Sequence, residues 1–165
     1  MRPIPLRVLA LFAALATAGC DDVTGPALPR EGAPRELEIS FSGFGFGSHD
    51  VTLRGDTLVV TRRDFFQPQT PSVTSVVPDA AAWQRFWAAA TAAGVPMWPR
   101  RCENPIIADG AGFSLRIVAG ARVWESQGSN SYPQANGRCN GDPGQSEDFR
   151  AFLGAVSQLI GRSYP

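Results

Sequence analysis

Hydrophobic residues alternate strictly along residues 36–42, with Leu37, Ile39 and Phe41 on one side and Glu36, Glu38, Ser40 and Ser42 on the other. A period of two marks a strand with one face in a core and one in water. A glycine-rich stretch, 43–48, then interrupts the alternation and places Phe44 and Phe46 between glycines. Residues 51–54 and 57–62 flank Gly55 and Asp56, which predicts a hairpin with a tight turn. From Asp79 the period changes to that of a helix. Trp83, Phe86, Trp87 and Ala90 share one stripe, Asp79 is placed to cap the start, and Gly94 to end it. Residues 113–117 and 121–126 predict a second hairpin around Ala119 and Gly120, and a long loop follows from 128 to 144. Ser146 opens a last helix, whose stripe is Phe149, Phe152, Leu153, Val156, Leu159 and Ile160, with Glu147 and Asp148 favourable in its first turn. The pattern predicts an α+β fold: an antiparallel sheet of about four to six strands with two amphipathic helices packed on one face.

The chain ahead of these elements has a different character. Arg2 and Arg7 precede an uncharged apolar run, 8–18, which leads through small residues to Cys20. Positive start, apolar centre and small-residue cleavage site are the parts of an export signal, and the run is too short for a spanning helix. Ala16, Thr17, Ala18, Gly19 and Cys20 resemble the relaxed form of a bacterial lipoprotein signal, with Thr17 where the commonest form has Leu. The resemblance implies residues 1–19 as a signal peptide and Cys20 as the lipidated first residue. A diacylglycerol would sit on its sulfur and a fatty acyl chain such as palmitate on its amine. Asp21 and Asp22 resemble an inner-membrane retention mark. Residues 20–35, rich in Pro and Gly, are expected to be a flexible linker, leaving 36–165 as one domain. The expected address is the outer face of a cell membrane, periplasmic in a Gram-negative host.

Composition narrows the functional classes. All fifteen basic residues are Arg, acidic residues are equally numerous, and no basic stripe is present, which argues against nucleic acid as a partner. Beyond Cys20 two cysteines remain, Cys102 and Cys139. In an exported protein such a pair predicts a structural disulfide. No CxxC or HxxxH spacing suggests a metal, and no cofactor motif is present.

Catalytic signatures are equally sparse. His49 is the single histidine; beside Asp50, in an extended segment, it points to the opposite face, so the pair is not half of a triad, and a surface loop position is expected for it. There is no nucleophile elbow, and the Arg54-Gly55-Asp56 tripeptide is accounted for by its turn. Asn140, Asp142, Glu147 and Asp148 offer oxygen ligands for calcium, but at the wrong spacing, and helix capping already explains the last two. What remains is recognition. Phe44 and Phe46 would anchor a protein partner if exposed; apolar side chains are usually buried, which favours both tucked inward. Asn130 and Tyr132, with Arg138, would line a polar groove or complete a turn.

Residues 36–161, with the Asp109-Gly110 turn, the 128–133 segment and the Phe149–Phe152 helix, resemble a group of small uncharacterised bacterial lipoproteins. The glycine-phenylalanine stretch after the first strand is similar to the start of emfourin-type inhibitors of thermolysin-like metalloproteases. Those inhibitors lack the cysteine pair and carry a different glycine motif, so the likeness is one of topology. Together these readings imply a lipid-anchored, non-catalytic binding module, with inhibition of an envelope protease as its activity. The alternatives are a cell-envelope hydrolase with spatially assembled carboxylates, and a purely structural envelope component.

Overall fold

The computed structural model of the chain describes residues 27–45, 47–67, 69–107 and 109–164. Cys20 and Phe46, singled out above, lie outside the described residues. Seven strands form one sheet: β1 (Glu36–Gly43), β2 (Gly47–Arg54), β3 (Thr57–Arg63), β4 (Ser72–Val76), β5 (Arg101–Glu103), β6 (Ala111–Ala119) and β7 (Arg122–Ser129). Helix α1 (Ala80–Ala92) follows β4, and helix α2 (Glu147–Ile160) follows β7. The spatial order is β4-β3-β2-β1-β6-β7-β5.

The fold is therefore α+β, but the sheet is larger than the pattern predicts and it is mixed. All neighbours are antiparallel except β5 and β7, which are parallel. The connection explains this. A short loop reverses the chain between β5 and β6, and a tight turn reverses it again into β7. Because β7 inserts between them, two reversals leave β5 and β7 running the same way. The two strands missing from the prediction are the two edges. Strand β4 has no buried residue and β5 is three residues long, so neither carries the alternation that betrays a strand.

Alternation builds the core. In β1, Leu37, Ile39 and Phe41 are buried, each opposite a buried partner in β6: Ile117, Leu115 and Phe113. Val51, Leu58, Val60 and Trp124 continue that face, and the stripes of α1 and α2 join it in a single cluster. The helices meet through Phe86 and Phe152, with ring centres 6.1 Å apart. Asp79 accepts the amide of Ala82 at 2.6 Å and so caps α1, and Gly94, at φ +75°, turns the chain out of it. The opposite face of the sheet is polar. Arg116 bridges Glu36 and Glu125, and Asp50 accepts from Ser40 at 2.7 Å and from Arg63 at 2.6 Å.

Two segments behave differently from expectation. Residues 27–35, at the end of the expected linker, pack on the domain: Leu28 is buried, the Trp87 indole donates to the Gly32 carbonyl at 2.8 Å, and Arg122 donates to the Ala27 carbonyl at 3.1 Å. Apolar Leu28 and the free indole N–H supply the reason, since each gains a partner the composition did not advertise. The glycine-rich stretch does not break a strand but forms the tip joining β1 to β2, whose register runs to the pair Gly43 and Gly47. The sheet thus has two distinct ends. The strap 27–35 and the turns at Gly55 and Gly120 lie at one, and the glycine tip, Arg63, Ala111 and Ser129 lie at the other.

Cys102 and Cys139 form a disulfide, with Cα atoms 5.5 Å apart. It ties edge strand β5 to the 130–145 loop, where Pro133 and Cys139 also pair as an isolated bridge. Replacing both cysteines by Ala is expected to lower the unfolding free energy by about 2–4 kcal/mol. Urea denaturation of the variant beside the oxidised parent measures it, and an unchanged midpoint would show that the link adds no stability.

Candidate functional site

Two surfaces meet at the glycine-tip end of the sheet, one on each face. On the polar face, Phe44 is 70 % exposed and its ring lies 4.9 Å from that of Phe65, edge to face. Phe65 in turn lies 5.2 Å from Phe66, which is 79 % exposed. Phe44 stands on the β1–β2 tip, while Phe65 and Phe66 follow the end of β3, where Asp64 accepts the Phe66 amide at 2.8 Å and fixes the turn. A groove of about 620 Å³ runs beside them, walled by Phe44, Phe65, Arg63 and Asp109. Phe44, expected to turn inward, is thus an exposed residue. The tip has no core to enter, because β1 has already placed its last inward residue at Phe41. Phe65 and Phe66 carry no periodic signal; only two adjacent aromatics after a charged pair, Arg63 and Asp64, could have marked them.

On the helix-covered face, a second cleft of about 520 Å³ opens between Phe41, His49, Arg62, Ala111, Tyr132, Pro143, Gln145, Ser163 and Tyr164. His49 is not in a surface loop. It belongs to β2, opposite Phe41 and Arg62, and faces the ring of Tyr164 at 5.9 Å. The sequence places it beside glycines, but those glycines end at Gly47, where pairing resumes. Its neighbour Asp50 points to the other face, as an extended backbone requires. Burial, then the charge of Arg62, lower the His49 pKa from its ordinary 6.5, while Asp50 acts in the opposite sense. The Tyr164 hydroxyl donates to the His49 carbonyl at 2.8 Å, and burial, with Asp50 behind it, pushes its pKa well up.

Asn130 and Tyr132 are both buried, at 3 % and 1 % exposure. Asn130 is spent on the fold. Its backbone takes φ +53°, which Asn tolerates better than most residues. Its side-chain oxygen accepts the Ala111 amide and its NH2 donates to the Ile107 carbonyl, both at 3.1 Å. That amide occupies the place a side chain at Gly110 would need. Tyr132 stacks on Phe113 at 5.9 Å and lies 4.9 Å from Phe149, leaving an edge in the second cleft. Arg138 is not among the residues that line either cleft.

Hydrogen bonds hold the segment that carries Asn140 and Asp148. Asn140 accepts the Tyr132 amide at 2.9 Å and donates to the Gly144 carbonyl at 2.6 Å, and Asp148 accepts the Ala135 amide at 2.8 Å. Among the described residues no group of three or more His, Cys, Asp or Glu side chains is placed to hold a metal ion. None of the helices described is long and apolar enough to cross a membrane.

No protein-family model matches this chain, and no curated protein matches it significantly.

The lowered His49 pKa has a consequence for stability. The unfolded chain takes up a proton near the ordinary value, while the folded chain does so only at lower pH. This residue therefore costs the fold nothing above about pH 6.5 and an increasing amount as pH falls below it. His49→Gln is expected to lose less thermal stability than the parent between pH 7.5 and 5.5. Equal losses in melting curves would show that another group sets that slope.

Proposed function

We propose that the protein is a non-catalytic binding module, held at an extracytoplasmic membrane surface by lipid on Cys20, that docks a protein partner through the phenylalanine tip. The observation that carries this reading is the run of ring contacts from Phe44 through Phe65 to Phe66, with the outer two rings largely exposed and the middle one 40 % exposed. A folded chain gains nothing from leaving three touching aromatic rings in water, whereas clustered aromatics beside a groove are the usual anchors of a protein interface. The flanking Gly43 and Gly45 add no side chain between the rings and an approaching backbone.

The geometry of the two ends supports the anchoring part. The chain enters β1 at the strap end, and the tip lies at the far end of that eight-residue strand, about 25 Å away at a strand's rise per residue. A tether leading into Ala27 would therefore join the domain at the end of the sheet opposite the phenylalanine tip. An envelope protease of the thermolysin type is the partner to assay first, on the strength of the glycine-phenylalanine stretch that follows the first strand.

Two outcomes are expected. Intact-mass analysis of protein extracted from membranes should show loss of residues 1–19 with added acyl mass, and Cys20→Ala should release the protein from the membrane fraction. An unmodified chain that keeps Met1 would remove the anchoring part. Replacing Phe44, Phe65 and Phe66 together by Ser should leave the melting temperature nearly unchanged, because surface substitutions usually shift stability by less than about 0.5 kcal/mol. The same variant should lose at least about tenfold in inhibition of, or affinity for, a panel of envelope metalloproteases. Parent protein that neither binds nor inhibits any of them at micromolar concentration would remove the inhibitor reading.

A further inference from the structure

The helix-side cleft has a composition unlike the phenylalanine groove, and the two share no lining residue. Its apolar lining comes from Phe41, Tyr132, Tyr164 and Pro143. Its polar groups are few and converge from separate parts of the chain. Arg62 comes from the end of β3, Gln145 from the loop before α2, and Ser163 from the residues after it. A mainly apolar cavity of several hundred Å³ with a small number of placed polar groups is the usual form of a small-molecule site.

Two groups at this cleft matter most, Arg62 and Tyr132. The Arg62 guanidinium makes no ion pair or hydrogen bond among the described residues, although Arg63 beside it is paired with Asp50. The Tyr132 residue is almost wholly buried, yet no hydrogen bond is made by its hydroxyl among the described residues. No fully enclosed side-chain oxygen or nitrogen there is left unpaired. The Tyr132 hydroxyl is therefore not fully enclosed, and Tyr132 lines this cleft. A buried phenol normally finds an acceptor. The other tyrosine is already settled, since the Tyr164 hydroxyl is committed to the His49 carbonyl. Burial raises the Tyr132 pKa, so it offers a proton rather than a charge, and the His49 ring beside it stays neutral at pH 7. Among the described residues the site thus presents one cation, Arg62, and the polar side chains of Tyr132, Gln145 and Ser163 without hydrogen-bond partners, and no described carboxylate lines it.

We propose that this cleft binds a small organic acid, its carboxylate held by Arg62 and the Tyr132 hydroxyl and its flat apolar body lying among Phe41, Tyr132 and Tyr164. A guanidinium and a phenol both donate to a carboxylate, which returns the acceptor that each lacks. An alcohol or amide of the same shape would keep the apolar contacts and lose the charged one. This inference does not depend on the phenylalanine tip or on the lipid.

Titration calorimetry with 3-phenylpropanoate, 3-phenylpropanol and 3-phenylpropanamide as probes tests it on the purified domain carrying its disulfide. The acid should bind at least about tenfold more tightly than either neutral probe, as expected when a charge-assisted bond is lost. Arg62→Gln should abolish that preference while leaving the neutral probes unaffected, and Tyr132→Phe should weaken the acid about three- to tenfold. Thermal melts of both variants establish that they fold. Phe44→Ser should bind the acid as the parent does, which separates this site from the tip. No binding of the acid at millimolar concentration, equal binding of acid and alcohol, or an Arg62→Gln variant that keeps the preference would each overturn the proposal.

Discussion

Phe149 occupies the point where the sheet, α2 and the disulfide-linked loop converge, and its ring has four aromatic neighbours. Phe113 lies at 4.6 Å, Tyr132 at 4.9 Å, Trp98 at 5.8 Å and Phe41 at 6.1 Å. Dispersion between such rings is weak pair by pair and large in sum. The ring can sit there only because the backbone ahead of it is fixed. The Ser146 hydroxyl accepts the Phe149 amide at 3.1 Å and donates to the Pro133 carbonyl at 2.5 Å, so one buried oxygen starts the helix and pins the loop. Trp98 extends the same cluster to Phe152, and Phe152 to Phe86 on α1. The helix-side cleft borders this aromatic mass through Phe41 and Tyr132.

The elements with a strong period were legible from sequence. The alternation of β1, the two tight hairpins, and the caps at Asp79 and Ser146 all follow from side-chain spacing and turn chemistry, and each is found where those rules put it. The edges were not legible. β4 shows β-branched residues, Val73, Thr74 and Val76, but no buried alternate set, and β5 is too short to have a period. Its place depends on pairing with β7 and on Cys102, which are contacts across the chain. The same limit applies to the sites. Tyr132 and Asn130 sit in a segment whose composition suits a surface turn, and only the approach of Phe149 and Ala111 buries them. His49 reads as loop by its glycine neighbours and as strand by its partners Phe41 and Arg62.

Exposure of aromatic rings and enclosure of an unpaired phenol are opposite departures from ordinary folding economy, and they occur within one end of the sheet. The strap 27–35 at the other end has neither. It buries Leu28 and satisfies the Trp87 indole, so the first described residues serve the core of the domain as well as leading into it. The packed strap and the exposed rings thus lie at opposite ends of β1.

The outermost strand on the β4 side carries a further implication. Ser72–Val76 presents one row of main-chain groups that no neighbouring strand covers. Such a border is where chains stack into fibrils. Here it is only five residues long, bracketed by Pro71 and Pro78, and held from the side by Arg162, which donates to the Thr74 hydroxyl at 2.7 Å. Proline cannot supply an amide to an incoming ladder, so neither end of this border can be lengthened by recruitment. With a net charge close to zero, the chain has little self-repulsion to keep such borders apart, so the two proline rings guard this one by shape alone.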